Sequence, residues 1–245
     1  MKPGICGDRS PVFMSKALRY SFLAISLGLL ISSVSVTETK AQNAIGEIYR
    51  RMDNNNKALQ SLRADVTMVK TNVQLGVSDT TYGNTSYLPK TAKHGNYVRI
   101  DWTRPVEEQI SVIGDDYELY RPRLNQVIVG KVNKAKNSAS VGGALSFMNM
   151  SKAQLQANYS PVFIGKEVIS GGIETAHLQL TPTTPTSYKL ADIWVDADGM
   201  PRQAMITERN NDTTTVLLSN IQKNVTLKGE IFKLKYPGSV KKIKA

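Results

Sequence analysis

The sequence is poor in residues that do chemistry. It has one cysteine, Cys6, and two histidines, His94 and His177. Cys6 lies ahead of an apolar run that reads as an export signal, so the chain left after cleavage would have no thiol. That excludes a disulfide framework and a thiolate nucleophile. The histidines stand far apart without a Cys/His neighbour pattern, which suits structural or surface roles. There is no Gly-x-Ser-x-Gly elbow, no phosphate loop and no HExxH. Asp115-Asp116 sits in a turn, where Asp bonds locally, and Glu107-Glu108 reads as a solvated pair. Asp196-Ala197-Asp198-Gly199 opens like a calcium loop but lacks the ligand Glu at the required distance, so it reads as a tight turn. The chain is therefore expected to be no enzyme and to need no metal or cofactor.

Long hydrophobic runs are also scarce. The exception is Tyr20–Val36, preceded by Lys16 and Arg19 and followed by Thr39-Lys40-Ala41. A positive flank, an apolar stretch and a small residue at the cut define a secretory signal covering 1–41. The run has 17 residues, five of them serine, short for a span of roughly 20 residues. The alternative is a retained anchor. Met14 is a second candidate start. No cysteine sits at the cut to take a lipid, so an exported, soluble domain over 42–245 is expected, in the periplasm.

The formal charge is +11, and removal of 1–41 leaves about +8. A C-terminal cluster, Lys228, Lys233, Lys235, Lys241, Lys242 and Lys244, supplies much of it. Such a surface suits anionic headgroups or acidic partners, or is a solvated face ending in a disordered tail. No aromatic-basic motif points to nucleic acid.

Periodicity gives the fold class. Ile45, Ile48, Tyr49 and Met52 have helical spacing over Ala44–Asn54, and Asn54-Asn55-Asn56 weakens or ends that helix. Ser61–Leu75 alternates as a strand, with a phase shift near Val69 that implies a bulge. Ser78–Asn84 reads as a polar hairpin loop and Thr85–Lys90 as a strand. Asn96–Pro122 is a three-strand meander: Val98, Ile100 and Trp102, then Ile110 and Val112, then Tyr117, Leu119 and Tyr120. Its faces are apolar and charged, so it must wrap something apolar. Asn125–Val132 is a further strand and Asn133–Ser140 a polar loop. Gly142–Ala157 reads as short Met-rich helices, either plain core or a lid. From Pro161 come strands over 162–169, 173–180, 190–196, 203–208 and 214–221, then Ile231–Pro237. The pattern predicts a mainly β fold with some α: an antiparallel sheet of about ten to eleven strands closing towards a barrel. With only two tryptophans and five phenylalanines, its interior is aliphatic and Met-rich, which suits either acyl chains or an ordinary core.

The order of these pieces resembles a known family. An export signal, an amphipathic helix and a strand SLRADVTM are followed by a strand ending in Pro105 and, 17 positions on, by Tyr120-Arg121-Pro122. DIWVDADGMPRQAMI and a closing IFKLKYPGSV come later. Over Ile45–Val240 the chain is similar to the periplasmic outer-membrane lipoprotein carrier proteins of the LolA type. The resemblance implies an unclosed antiparallel barrel with helices as plug or lid, holding the acyl chains of lipoproteins. It implies a monomeric shuttle from an inner-membrane ABC-type exporter to an outer-membrane acceptor. The implied lipid cavity is lined by Leu62, Ala64, Val66, Met68, Val98, Ile100, Trp102, Ile110 and Val112, with Phe147 and Met148 from the lid. The alternative is the lipid-sensing module of an envelope-stress regulator. One departure stands out: where the family has an Arg-Pro that holds the lid, this chain has Lys93-His94-Gly95.

Overall fold

A computed structural model of the chain describes residues 35–92, 95–131 and 150–244. Contacts divide the chain into Met1–Ala41 and Gln42–Ala245, and the sheet belongs to the second unit. It is built on one sheet. The first meander comprises β1 (Leu62–Asn72), β2 (Val77–Leu88), β3 (Tyr97–Arg104), β4 (Glu108–Ile113), β5 (Asp116–Arg121) and β6 (Gln126–Lys131). The second comprises β7 (Tyr159–Ile169), β8 (Ile173–Pro182), β9 (Tyr188–Val195), β10 (Pro201–Glu208) and β11 (Thr213–Lys223). A last strand, β12, is Lys241–Lys244. Pairing of β1 with β11 joins the meanders into a twelve-stranded sheet, ordered β12-β6-β5-β4-β3-β2-β1-β11-β10-β9-β8-β7. The sheet does not close, so β7 and β12 are its edges. All its pairs are antiparallel except β12 with β6.

The inner face follows from period-two alternation. In β1, Leu62, Ala64, Val66 and Met68 are buried while Arg63 is exposed. Across the sheet the same face collects Leu178, Ile193, Ala204, Ile206, Val216 and Leu218 in one buried cluster. Helix α1 (Ser35–Ala58) joins that cluster through Ile48, Tyr49 and Met52, which recur at one-turn spacing. Its solvent side carries the ion pairs Glu47–Arg50 at 2.7 Å and Asp53–Lys57 at 2.6 Å. The Asp196–Gly199 turn is the tight turn expected, with Asp196 Oδ1 accepting from the Asp198 and Met200 amides at 3.0 and 2.8 Å. Arg51 reaches this turn and donates to the Ala197 carbonyl at 3.1 Å.

Several expectations need correction. The Asn54-Asn55-Asn56 run does not end α1, which continues to Ala58. Tertiary bonds outweigh low helix propensity there. Asn55 accepts from Lys223 Nζ at 2.8 Å, and Asn56 donates to the Met150 carbonyl at 3.2 Å. Val73 and Leu75 do not continue β1. They lie in its turn at 52% and 73% exposure, where Asn72 Oδ1 accepts from the Leu75 amide. The bulge falls between Arg63 and Asp65, opposite β11. Ser78–Asn84 is no loop; it is the first half of β2, a Thr- and Tyr-containing ribbon in unbroken register with β1. Ile231–Pro237 is not a strand. Its first two residues close a 3-10 turn at Gly229–Phe232, and the segment forms a strap over the outer face. The basic end is not a loose tail, because Lys241–Lys244 forms β12. Only the last turns of the Met-rich region are described: helix α2 (Lys152–Asn158), with a capping box at Ser151 and Gln154 and Leu155 buried. The expected Asn133–Ser140 loop and the lid residues Phe147 and Met148 lie outside the described residues.

The strap changes the meander's outer face. Phe232 is fully buried, its ring 5.5 Å from that of Tyr97, and Tyr236 sits 5.5 Å from Tyr120. Ser111 donates to the Phe232 carbonyl. The charged side of the meander is thus partly a second, smaller core that includes Val127 and Val240.

Gly199 is held to glycine twice, by φ +83° and by a Cβ position 2.2 Å from the Arg51 backbone. Gly76 has φ +65° but open space around it. Gly199→Ala should therefore cost about 3 kcal/mol or more by urea denaturation, and Gly76→Ala about 1 kcal/mol. Equal costs would show that α1 does not press on the turn.

Candidate functional site: the inner apolar wall

Antiparallel register places side chains on shared faces. One row across the first meander runs Leu62, Tyr87, Val98, Val112 and Tyr117. The next runs Ala64, Thr85, Ile100, Ile110, Leu119 and Ile128. Gly83 and Trp102 follow, and there a Cβ on Gly83 would stand 2.3 Å from the Asp101 carbonyl oxygen. A single apolar wall therefore spans β1 to β6.

The wall is covered unevenly. Leu62, Ala64, Val66, Met68, Ile100 and Trp102 belong to the buried cluster, Trp102 at 4% exposure. Val98 and Ile110 are partly buried and pack against that cluster. Val112 is half-buried and outside it. Every described residue expected to line the cavity thus lies on one face, but they differ in state. Those on β1, together with Ile100 and Trp102, are packed by the protein's own side chains, while the β4 end is less covered. The sequence reading missed Tyr87, Leu119 and Ile128, all half-buried on the same wall. The alternation of β5 and β6 carried that signal. The N-terminal helix expected as plug or lid covers the buried cluster through Ile48, Tyr49 and Met52.

Polar groups at this core are few. The Tyr159 and Tyr188 hydroxyls lie 2.6 Å apart at the second meander's end. The Tyr49 hydroxyl is buried at 1% exposure with no hydrogen-bond partner among the described residues. Burial pushes it from 10.0 up to about 12. An unpaired buried hydroxyl costs about 1–3 kcal/mol, so this contact of α1 with the sheet is unfavourable in part.

His177 is built into the outer face. Its Nδ1 lies 2.8 Å from Glu167 Oε1 and its Nε2 2.8 Å from Asp192 Oδ1. The ring stacks 4.3 Å from Trp194, whose indole donates to Glu167 Oε2 at 2.7 Å. The Trp194 hydrogen bond, then that of His177, holds the Glu167 carboxyl below the usual carboxylate range. Both ring nitrogens are engaged by carboxylates, and no serine or threonine hydroxyl contacts either one among the described residues. Glu108 and Asp116 pair with Arg121 at 3.0 Å and Lys131 at 2.5 Å. No group of three metal-ligating side chains occurs among the described residues.

The described residues form an open antiparallel half-barrel with a helix packed on its apolar face. The family model for the outer membrane lipoprotein carrier protein LolA matches residues 90–235, and the chain belongs to that family. Among solved structures, an uncharacterized conserved protein from Thermus thermophilus has 11% identity and a TM-score of 0.53, covering 82% of this chain and 99% of its own. A LolA superfamily protein from Nitrosomonas europaea has 15% identity and a TM-score of 0.41, covering 77% and 97%. The lipoprotein LppX from Mycobacterium tuberculosis has 16% identity and a TM-score of 0.45, covering 76% and 99%. At 11% identity the Thermus likeness speaks to fold alone. No curated protein matches the chain. No described helix is long and apolar enough to cross a membrane.

Tyr49→Phe removes the unpaired hydroxyl and should raise stability at neutral pH by about 1 kcal/mol. Because the folded state holds this proton more tightly, the native tyrosine's contribution is full below pH 10.0 and is lost as pH rises towards about 12. Urea midpoints measured across that window should fall for the native protein and stay flatter for the variant. Parallel curves would show that Tyr49 is not buried in solution.

Proposed function

We propose that this protein is an exported carrier that takes acyl chains of lipoproteins onto its inner wall. On this reading 1–41 is its export signal, the periplasm its compartment, and its partners an inner-membrane exporter and an outer-membrane acceptor. It binds and hands over; it catalyses nothing. The observation that carries the proposal is the continuous apolar wall from β1 to β6, packed tightly at one end and half-covered at the other. Family membership supports it.

Magnitudes favour exchange over simple filling. A sixteen-carbon chain gains about 12 kcal/mol on burial, at about 0.8 kcal/mol per methylene. Displacing Ile48, Tyr49 and Met52 would forfeit about 1.5–3 kcal/mol each. Cargo that enters from the half-covered end and lifts α1 replaces apolar contacts with apolar contacts. Its net affinity is then a difference, small enough for onward transfer. Cavity roles for Leu62, Ala64, Val66, Met68, Ile100 and Trp102 belong to this lifted state. Val98, Ile110 and Val112 would meet cargo first.

Native mass spectrometry of protein purified from the periplasm should find acylated species bound. Val112→Asp, outside the buried cluster, should lose most of that load with a melting temperature nearly unchanged, whereas Val98→Asp should lose load and stability together. Trp102→Ala should instead cost about 3–5 kcal/mol of stability. Lipid-free native protein that also fails to release lipoprotein from inner-membrane preparations would end the carrier proposal.

A further inference from the structure

The outer face carries a second recess, unrelated in chemistry to the inner wall. It is an open cleft of about 780 Å³ between the sheet and the C-terminal strap. Two polar rows form its floor. Gln222, Arg63, Ser86 and Arg99 stand opposite one another across β11, β1, β2 and β3. Asp65, Asn84, Asp101 and Gln109 do so across β1 to β4. Glu230, Ile231, Lys233 and Lys235 of the strap form its wall.

Arg99 builds the cleft. It grips Asp101 at 2.7 Å and donates Nη1 to the carbonyls of Ile231 at 3.0 Å and Lys233 at 3.3 Å, which pins the strap across the sheet. Other charges are also spent internally. Lys233 pairs with Glu230 at 3.0 Å, and Asp65 accepts from Asn220 at 2.6 Å. What remains unpaired among the described residues is specific: the cations of Arg63 and Lys235, the amides of Asn84, Gln109 and Gln222, and the Ser86 hydroxyl.

That set selects a ligand. Unpaired cations on both floor and wall call for negative charge. Carboxamides and a hydroxyl offer donor and acceptor together, which matches hydroxyl groups and is wasted on a bare anion. No aromatic ring lines the cleft, so an apolar guest has nothing to stack on. The floor is made of interior strands, so no free edge exists to extend a peptide by strand addition. The geometry points to a binding site for a short acidic oligosaccharide on the outer face, with Arg63 and Lys235 holding its acid groups and Asn84, Ser86, Gln109 and Gln222 reading its hydroxyls. The site is independent of the acyl-carrier proposal and could be occupied with the inner wall loaded or empty.

Calorimetric titration of the purified protein at fixed salt tests this, with tetragalacturonic acid and a phosphorylated mannotetraose as probes. Maltotetraose and inorganic phosphate serve as neutral and bare-anion controls. Saturable binding of either acidic probe is expected, and which one binds tells carboxylate from phosphate. Arg63→Gln or Lys235→Gln should weaken it about tenfold, as should Asn84→Ala combined with Gln109→Ala, while Lys244→Gln leaves it unchanged. Arg63, Asn84, Lys235 and Lys244 are exposed and Gln109 is half-exposed, and unchanged thermal melts would exclude misfolding. Failure of both probes to saturate would overturn the proposal. So would equal loss in Lys244→Gln, which would reduce binding to net charge, or inorganic phosphate binding as tightly as the sugars.

Discussion

The fold depends on covering the apolar face of a sheet that does not close. A closed barrel buries its inner face against itself; this twelve-stranded sheet needs another element to do so. Helix α1 supplies it through Ile48, Tyr49 and Met52, and the Asp196–Gly199 turn fixes where the helix lies. The fit is close at the backbone, where Gly199 admits no side chain, and imperfect at the Tyr49 hydroxyl. On the carrier proposal, a cover positioned at one point and chemically unsatisfied at another is the element that cargo exchanges with.

The two edges are handled differently. At β12, Lys241, Lys242 and Lys244 put charge along the exposed ribbon, a common guard against unwanted pairing. At β7, Val162, Ile164 and Val168 are exposed at 48–66%, and the Gly165 bulge bends the strand. Much of the positive charge that looked like a loose tail is thus structural, spent on an edge strand and on the strap that makes the outer cleft.

What was legible in the sequence was what local alternation controls. The strands of the second meander, the Val98–Trp102 and Ile110–Val112 strands and the Asp-Gly turn all stand where period two and turn chemistry put them. The errors fell where distant partners decide. Asn55 continues a helix because Lys223 satisfies it, and Ser78–Asn84 is a strand because β1 lies alongside. IFKLKYP alternates like a strand, yet it has no ladder to join. Phe232 is instead drawn to Tyr97, and Arg99 takes the strap's carbonyls. No window of sequence contains those partners.

The same limit applies to the site. Alternation told which residues share the inner wall but not which of them the protein covers itself. Coverage depends on how far α1 reaches across the sheet, and that is set by the Arg51–Ala197 contact, 146 positions apart in sequence. The helix is tied to the β9–β10 turn and to Lys223 of β11, and the β4–β6 side of the wall stays half-buried. An apolar wall filled to its rim would be only a core, and one left wholly open would invite aggregation. Partial cover by an element with an unpaired hydroxyl lies between those limits, and it is the condition that the carrier proposal needs of a wall that takes up a flexible chain and gives it up again.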